Sequence, residues 1–422
     1  MILLCPVDSG QLLLEQSMFI STEMGQAMSR EISEGRLKLN QRLVPVHLPY
    51  EGLLTMDYGE HNHLKVELKQ WLSMGLPQQY QGENLSGKRL IIFPMHGLGD
   101  QMYLAVALRY LATLYPGLKV TIVKPSIASA EQWYPLIYFE SFYETTGPVV
   151  KPDEMRGYDY YLNAEHFAHV SEYNGTYPPE FYIRHFFHHE PHVIVEPVPQ
   201  ITPDSIKDTP NGSAVSSIVR SLKQKGKPLV FVNSVSTGRV RDLPINTLID
   251  FIKLSEDRFS FLVSSFNRPD IQEAVSSMNL SHVQSTEGLI KHVRDLCLII
   301  SSCDLVITTD SGITHLAEAL SVPCGSVFNV VSPEERTKPY RFSESLNVDF
   351  KLEGICETPC YVHALKDGNL CPGMAYINND ENERLFYDYP PCVTHLEGEH
   401  LVLLLDALFE TFGWKGGKEI HG

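Results

Sequence analysis

Basic side chains are scarce in this chain: 34 Lys and Arg stand against 51 Asp and Glu in 422 residues, a formal net charge of −17. A chain this acidic lacks the surface that neutralises a polyanion, which excludes broad nucleic-acid or anionic-membrane binding. Any phosphate it takes must be held locally, by helix ends and a few basic groups. Long apolar runs are missing too, since none approaches the roughly 20 residues that span a bilayer. The start, MILLCPVDSGQLLLEQSMF, has no basic stretch and no small-residue cleavage site, so it reads as neither signal peptide nor anchor. Internal repeats shorter than a domain are absent. With 43% hydrophobic and 20% charged residues, the composition excludes a disordered or collagen-like chain. The expectation is a cytoplasmic protein of two or three domains.

Alternation of strand and helix patterns gives the fold class. RLIIFP, from Arg89, is a short apolar run of the kind expected of a buried parallel strand. A glycine turn, MHGLGD, follows it, and then QMYLAVALRYLATLYP carries apolar residues at helical spacing. Pro116 and Gly117 stop that helix, and KVTIVKP is the next strand, completing a βαβ unit. YDYYLNAE (158–165) is a further strand of this half. A Pro-, Ser-, Asp- and Lys-rich stretch from about 193 to 226, with a helix in its later part, reads as the joint between domains. A second series then runs PLVFVNS, INTLIDFIKLS, FSFLVSS, IQEAVSSM, GLIKHVRDLCLIISSC, DLVITTD, SGITHLAEAL and PCGSVFNV, alternating strand and helix apart from the consecutive helices IQEAVSSM and GLIKHVRDLCLIISSC. The layout is α/β with two Rossmann-like domains facing a cleft. The expected boundaries are an N-terminal extension over 1–88, a first Rossmann-like domain over 89–205 and a second over 206–350. A cysteine-rich loop over 351–395 and a C-terminal helix over 396–422 complete the chain.

Three short stretches carry chemistry. Gly97-Leu98-Gly99-Asp100 lies between a strand and a helix, where Asp100 could take a proton from an acceptor hydroxyl as a general base. The alternative is that Asp100 caps that helix. Thr308-Thr309-Asp310-Ser311-Gly312-Ile313-Thr314-His315 spans a strand end and a helix start, a seat for a diphosphate. Ser311 and Gly312 permit close approach, Thr314 offers a hydroxyl, and Asp310 could cap the helix or bond the sugar. His315 reads equally as a helix histidine bonded to a neighbouring loop. Ser236-Thr237-Gly238-Arg239-Val240-Arg241-Asp242 follows the first strand of the second half, and Arg239 and Arg241 suit phosphate oxygens; one of them reads as a solvated loop arginine.

Cysteines divide into two sets. Cys5, Cys297, Cys303 and Cys324 sit singly in apolar or mixed contexts and read as small buried residues. Cys356, Cys360, Cys371 and Cys392 cluster near the C-terminus, which in a cytosolic chain suggests a metal before disulfides. A histidine group, His166, His169, His185, His188, His189 and His192, has irregular spacing and no matching carboxylate motif. It reads as an aromatic, packed or surface segment.

Together these stretches resemble glycosyltransferase family 9, the ADP-heptose heptosyltransferases, from about residue 89 to 410. GLGDQMYLAVALRYLATLYPGLKVTIV is similar to the family's opening strand–turn–helix, and VITTDSGITHLAEALSVPCGSVFNVVSPEERTKPY to its most specific stretch. The resemblance implies the two-domain GT-B fold, with Asp100 as general base and Arg241 in place of a lysine contacting donor phosphate and acceptor. Ser236, Thr237, Ser311, Gly312 and His315 would touch the diphosphate, and Asp270 would hold the donor ribose. Gln101-Met102 departs from the family's small or aliphatic residues, and GLGDQM also resembles a turn of some fucosyltransferases. The bacterial autotransporter heptosyltransferases are the nearest branch, with an N-terminal extension and a four-cysteine iron site. That branch implies a structural iron or zinc ion on Cys356, Cys360, Cys371 and Cys392, a serine acceptor on a protein, and a homo-oligomer. Lipopolysaccharide or another glycan as acceptor, and a non-catalytic nucleotide-sugar-binding role, stand beside it.

Overall fold

A computed structural model of the chain describes residues 2–8, 11–12, 18–20, 42–47, 75–94, 97–123, 143–146, 149–164, 176–190, 194, 197–201, 206, 209–236, 238–265, 268–361, 371 and 389–413. For 2–8, 11–12, 18–20, 42–47, 143–146 and 149 the backbone alone is described. The chain forms two compact units: 1–97, 107–167 and 182–193 make the first, and 98–106, 168–181 and 194–422 the second.

In the first unit, β1 (Ile2–Asp8) pairs antiparallel with β2 (Gln11–Leu12), β3 (Met18–Ile20) and β4 (Arg42–His47). A parallel sheet follows, built from β5 (Gln78–Gln79), β6 (Arg89–Phe93), β7 (Lys119–Val123), β8 (Tyr143–Thr146) and β10 (Tyr160–Asn163). Its order is β5-β10-β6-β7-β8. β9 (Val149–Val150) leaves it to pair with β3. The strand expected over 158–165 is shorter, but the Ala164 N–H still reaches Phe93 O at 2.8 Å. Leu90, Ile91, Ile92 and Phe93 are all fully buried, as a parallel strand covered on both faces requires. Helix α1 (Leu98–Leu114) is apolar nearly all round and buries Met102, Tyr103, Leu104, Val106, Ala107, Leu108 and Leu111. It stops at Tyr115, before Pro116 and a left-handed Gly117 at φ 77°.

The second unit holds six parallel strands: β11 (Leu229–Asn233), β12 (Ser260–Val263), β13 (Val283–Ser285), β14 (Leu305–Thr309), β15 (Cys324–Phe328) and β16 (Ser343–Asn347). They lie in the order β13-β12-β11-β14-β15-β16, the 3-2-1-4-5-6 sequence of a doubly wound nucleotide-binding sheet. The chain reverses direction across the sheet between β11 and β14, which pair directly from Val230↔Leu305 to Asn233↔Thr308. The joint region contains a helix, Gly212–Lys223, that buries Val215, Val219 and Leu222. The helix expected from GLIKH onward begins later, at Val293. Asp295 accepts the N–H groups of Lys291 and His292 at 3.0 and 2.9 Å, and His292 accepts that of Arg294, so a capping box sets the start. Cys297, Cys303 and Cys324 are buried, as expected. The terminal helix, Gly398–Phe412, lays Leu401, Leu404, Leu405 and Leu408 on the core formed by β11, β12 and the helix Ile245–Ser255. Among the described residues no helix is long and apolar enough to cross a membrane.

Candidate functional site

Ligands of doubly wound sheets sit outside the carboxyl ends of the strands, where strand order reverses. Here that place is the end of β11 and β14, and the two loops leaving it are those singled out by sequence. Asn233 fastens them: its Nδ2 donates to Val235 O at 2.7 Å and to Thr308 Oγ1 at 3.1 Å. Thr308 Oγ1 shares a further hydrogen bond with Ser311 Oγ at 3.1 Å. Ser311 is the N-cap of the helix Gly312–Ala319 and accepts from the Ile313 N–H at 3.3 Å. Its hydroxyl is therefore engaged in building the helix start that offers N–H groups to an anion.

The loop after β11 is rigid by construction. Ser236 N–H donates to Asp242 Oδ1 at 2.8 Å, and Ser236 Oγ donates to Gly238 O at 2.7 Å. Arg239–Arg241 form one turn of 3-10 helix, which leaves Arg239 exposed and turns Arg241 inward. Arg241 Nη1 pairs with Asp310 Oδ2 at 3.3 Å, with the two side chains 12% and 5% exposed. Thr309 Oγ1 also donates to the Arg241 carbonyl, so the arginine is tied to the second loop through both side chain and backbone. The Nε of Arg241 is buried and has no hydrogen-bond partner. Asp242 receives Arg268 Nη1 at 2.9 Å, and burial holds its carboxyl above the usual range against that pull.

The Gly97–Asp100 turn meets the same place. Gly97 occupies the N-cap position of α1 and Asp100 stands half-buried in the first helical turn, so Asp100 is not the capping residue. A Cβ on Gly99 would fall 2.7 Å from His315 Cδ2, and one on Gly312 would fall 3.0 Å from Leu98 Cβ. Both glycines stand where the two turns touch: a Cβ at Gly99 requires the buried His315 to shift, and one at Gly312 requires Leu98 to give way. His315 is buried, shares a 2.6 Å hydrogen bond with Tyr340 Oη, and packs on Tyr103 with ring centres 4.5 Å apart. Burial pushes its pKa down to about 3, with Arg336 and Arg241 adding to the shift and Asp310 opposing it. The imidazole is thus neutral near pH 7 and works as packing between turns rather than as a positive charge. Tyr103, in turn, donates through its hydroxyl to Arg336 O at 2.9 Å.

Other sequence candidates lie apart. Thr314 Oγ1 is buried and bonded to Ser326 Oγ at 2.8 Å, facing the sheet. Asp270 is exposed at the start of the helix Pro269–Ser277, clamped by Arg268 Nε and Nη2 at 2.9 and 2.7 Å, which holds its carboxyl below the usual range. Thr237 lies outside the described residues. Sequence reasoning missed Arg268 and Asn329, which have no motif of their own, and gave Asp242 no role within its motif. Asn329 Nδ2 donates to Val240 O at 2.7 Å and to Cys392 Sγ at 3.4 Å, and Arg268 Nη2 donates to Tyr389 Oη at 3.3 Å.

Cys356, Cys360, Cys371 and Cys392 form no disulfide among the described residues. The Cys392 pKa is pushed up to about 12, first by burial and then by Cys371, Cys360 and Cys356, so the four sulfurs sense one another. Among the described residues, however, no group of three or more His, Cys, Asp or Glu is arranged to hold a metal ion. Of the histidine group, His166, His169 and His192 lie outside the described residues. His188 and His189 pack on Tyr80 and Tyr115, and His185 packs on Phe186.

Comparison with known proteins agrees with this geometry. Two solved structures share the fold: E. coli ADP-heptose LPS heptosyltransferase II, and a family 9 glycosyl transferase from Veillonella parvula DSM 2008. The first is 14% identical with a TM-score of 0.51, covering 77% of this chain and 99% of that one. The second is 12% identical with a TM-score of 0.51, covering 78% and 99%. The iron-containing dodecameric glycosyltransferase TibC from enterotoxigenic E. coli H10407 aligns over 97% of this chain and 91% of its own, at 12% identity and a TM-score of 0.49. No curated protein matches by sequence. The fold is that of a GT-B glycosyltransferase, with two α/β units and parallel sheets. Residues 292–353 match the model of glycosyltransferase family 9 (heptosyltransferase).

Proposed function

We propose that the protein is an inverting glycosyltransferase that moves a sugar from a nucleotide diphosphate to a hydroxyl. The observation that carries this reading is the meeting of three loops at the reversal point of the second sheet: Gly97–Asp100, Ser236–Asp242 and Asp310–His315. Asp100 removes the acceptor proton as the hydroxyl oxygen attacks the anomeric carbon on the face opposite the nucleotide. The bond to the diphosphate breaks, and the leaving oxygens gain charge beside Arg241, Ser236, Thr237 and the N–H groups at Ser311 and Gly312. The unpartnered Nε of Arg241 is a buried donor that a phosphate oxygen would satisfy. The family description, heptosyltransferase, points to a heptose; ADP-heptose is the donor to test first, with a serine of a bacterial surface protein as the first acceptor and lipopolysaccharide or another glycan as the second. The chemistry needs no metal; four thiolates suit a structural iron or zinc ion, which would cross-link the segment 351–395.

The test is a donor panel of ADP-heptose, GDP-sugars and UDP-sugars, read as nucleoside diphosphate release and mass gain on candidate acceptor proteins. Asp100→Asn should abolish transfer and leave nucleotide affinity nearly unchanged. Turnover retained in that variant removes Asp100 from the mechanism.

A further inference from the structure

The thiol cluster and the arginine turn are far apart in sequence, yet one side chain bonds both. Asn329 follows β15 and is 2% exposed. Its Nδ2 carries two hydrogens, one directed to Val240 O at 2.7 Å and one to Cys392 Sγ at 3.4 Å. Val240 is the middle residue of the turn Arg239–Arg241. A second tether runs in parallel, because Arg268 bonds Asp242 at the end of the turn and Tyr389, three residues before Cys392. The Arg241–Asp310 pair fixes the turn to the second loop; these two links fix it to the segment 389–392.

We propose that Asn329 is a positioning residue that ties the sulfur of Cys392 to the turn carrying Arg241, so that the state of the cysteine segment sets how well the turn grips a nucleoside diphosphate. The inference rests on the reading of that turn as part of the donor site. When Cys392 keeps its sulfur in place, the Asn329 amide is held between two acceptors and cannot rotate away from Val240 O. When the sulfur is removed or drawn off, one anchor is lost and the carbonyl of Val240 loses a fixed partner. Arg268 provides the same service at Asp242, so the middle and the end of the turn both answer to the segment 389–392.

A double-mutant cycle in the full-length protein tests this, with ADP affinity by calorimetry and amide exchange of the peptide 234–244 as independent readouts. Asn329→Leu and Cys392→Ala should each weaken ADP about fivefold, the size of one hydrogen bond, and the double variant should also weaken it about fivefold rather than 25-fold. Each should speed exchange in 234–244 and raise the donor KM with little change in kcat. A role in folding alone would lower the yield of active enzyme and leave KM unchanged. Arg268→Lys, which keeps the charge, serves if Asn329→Leu does not fold, and should show the same exchange signature. Additive losses, or exchange in 234–244 unchanged by either substitution, overturn the proposal. Faster exchange in a protein that binds no nucleoside diphosphate would keep the tether and reject the donor-site reading instead.

Discussion

Acidification from pH 7 to pH 5 should destabilise the second unit through His315 alone by about 2 kcal/mol. The folded imidazole is neutral, with its pKa pushed down to about 3 by burial, whereas an unfolded histidine titrates near 6.5. Between those values the unfolded chain binds the extra proton, so stability rises with pH across the window and falls as acid is added. At pH 7 only a small part of the unfolded population is protonated; by pH 5 nearly all is. The linkage integral over that interval gives about 2 kcal/mol, with a slope near 1.4 kcal/mol per pH unit below pH 6. Asp310 is the neighbouring charge that favours the proton, and Arg336 and Arg241 are those that oppose it. The measurement is a urea titration at both pH values on the native protein and on His315→Gln, scored by amide exchange of peptides within 305–328 so that only this unit is read. Carboxylates elsewhere titrate in both proteins and drop out of the difference. Parallel losses in the two proteins would refute the reasoning, because they would mean that His315 accepts a proton without unfolding.

Arg241→Met should cost about 3–5 kcal/mol, since it takes the guanidinium away from the Asp310 carboxylate, which is 5% exposed; Arg241→Met with Asp310→Leu should recover most of that in the same urea assay. Gly99→Ala puts a methyl 2.7 Å from His315 Cδ2. It should lower transfer at least tenfold while the circular dichroism spectrum stays native, and an active variant would show that the two turns can part freely. Gly398→Ala places a Cβ 2.5 Å from the Phe251 backbone nitrogen, where nothing flexible can yield. The expected loss is about 1–3 kcal/mol in thermal unfolding, with no effect specific to the donor KM.

Much of the second unit was legible because buried parallel strands write themselves as apolar runs. LVFVN, SFLV, LVITT and CGSVF are each buried throughout. The two ligand loops followed from where those runs end. Helix starts were less legible: the apolar spacing of GLIKHVRDL extends past the true boundary, and only the Asp295 carboxylate on three backbone N–H groups, including Asn211 at 2.9 Å, stops it. Asn329 and Arg268 were invisible for a similar reason. A polar side chain acquires meaning from what long-range folding brings to it, and Val240, Cys392 and Tyr389 are nowhere near them in sequence. Asp270 shows the opposite case, a carboxylate in the expected position whose nearest demand is the adjacent arginine.

Phe350 and His395 stack with ring centres 5.4 Å apart. The described residues between them are bonded into the unit: the Tyr361 N–H reaches Val330 O at 2.7 Å and Cys392 Sγ accepts from Asn329 Nδ2 at 3.4 Å. Closing such a loop costs little more when it is long than when it is short, about 0.6 kcal/mol for each doubling. A change of length between 361 and 389 therefore costs little chain entropy, whereas Tyr361 and Cys392 at its two ends are fixed by bonds to the loop after the fifth strand of the sheet.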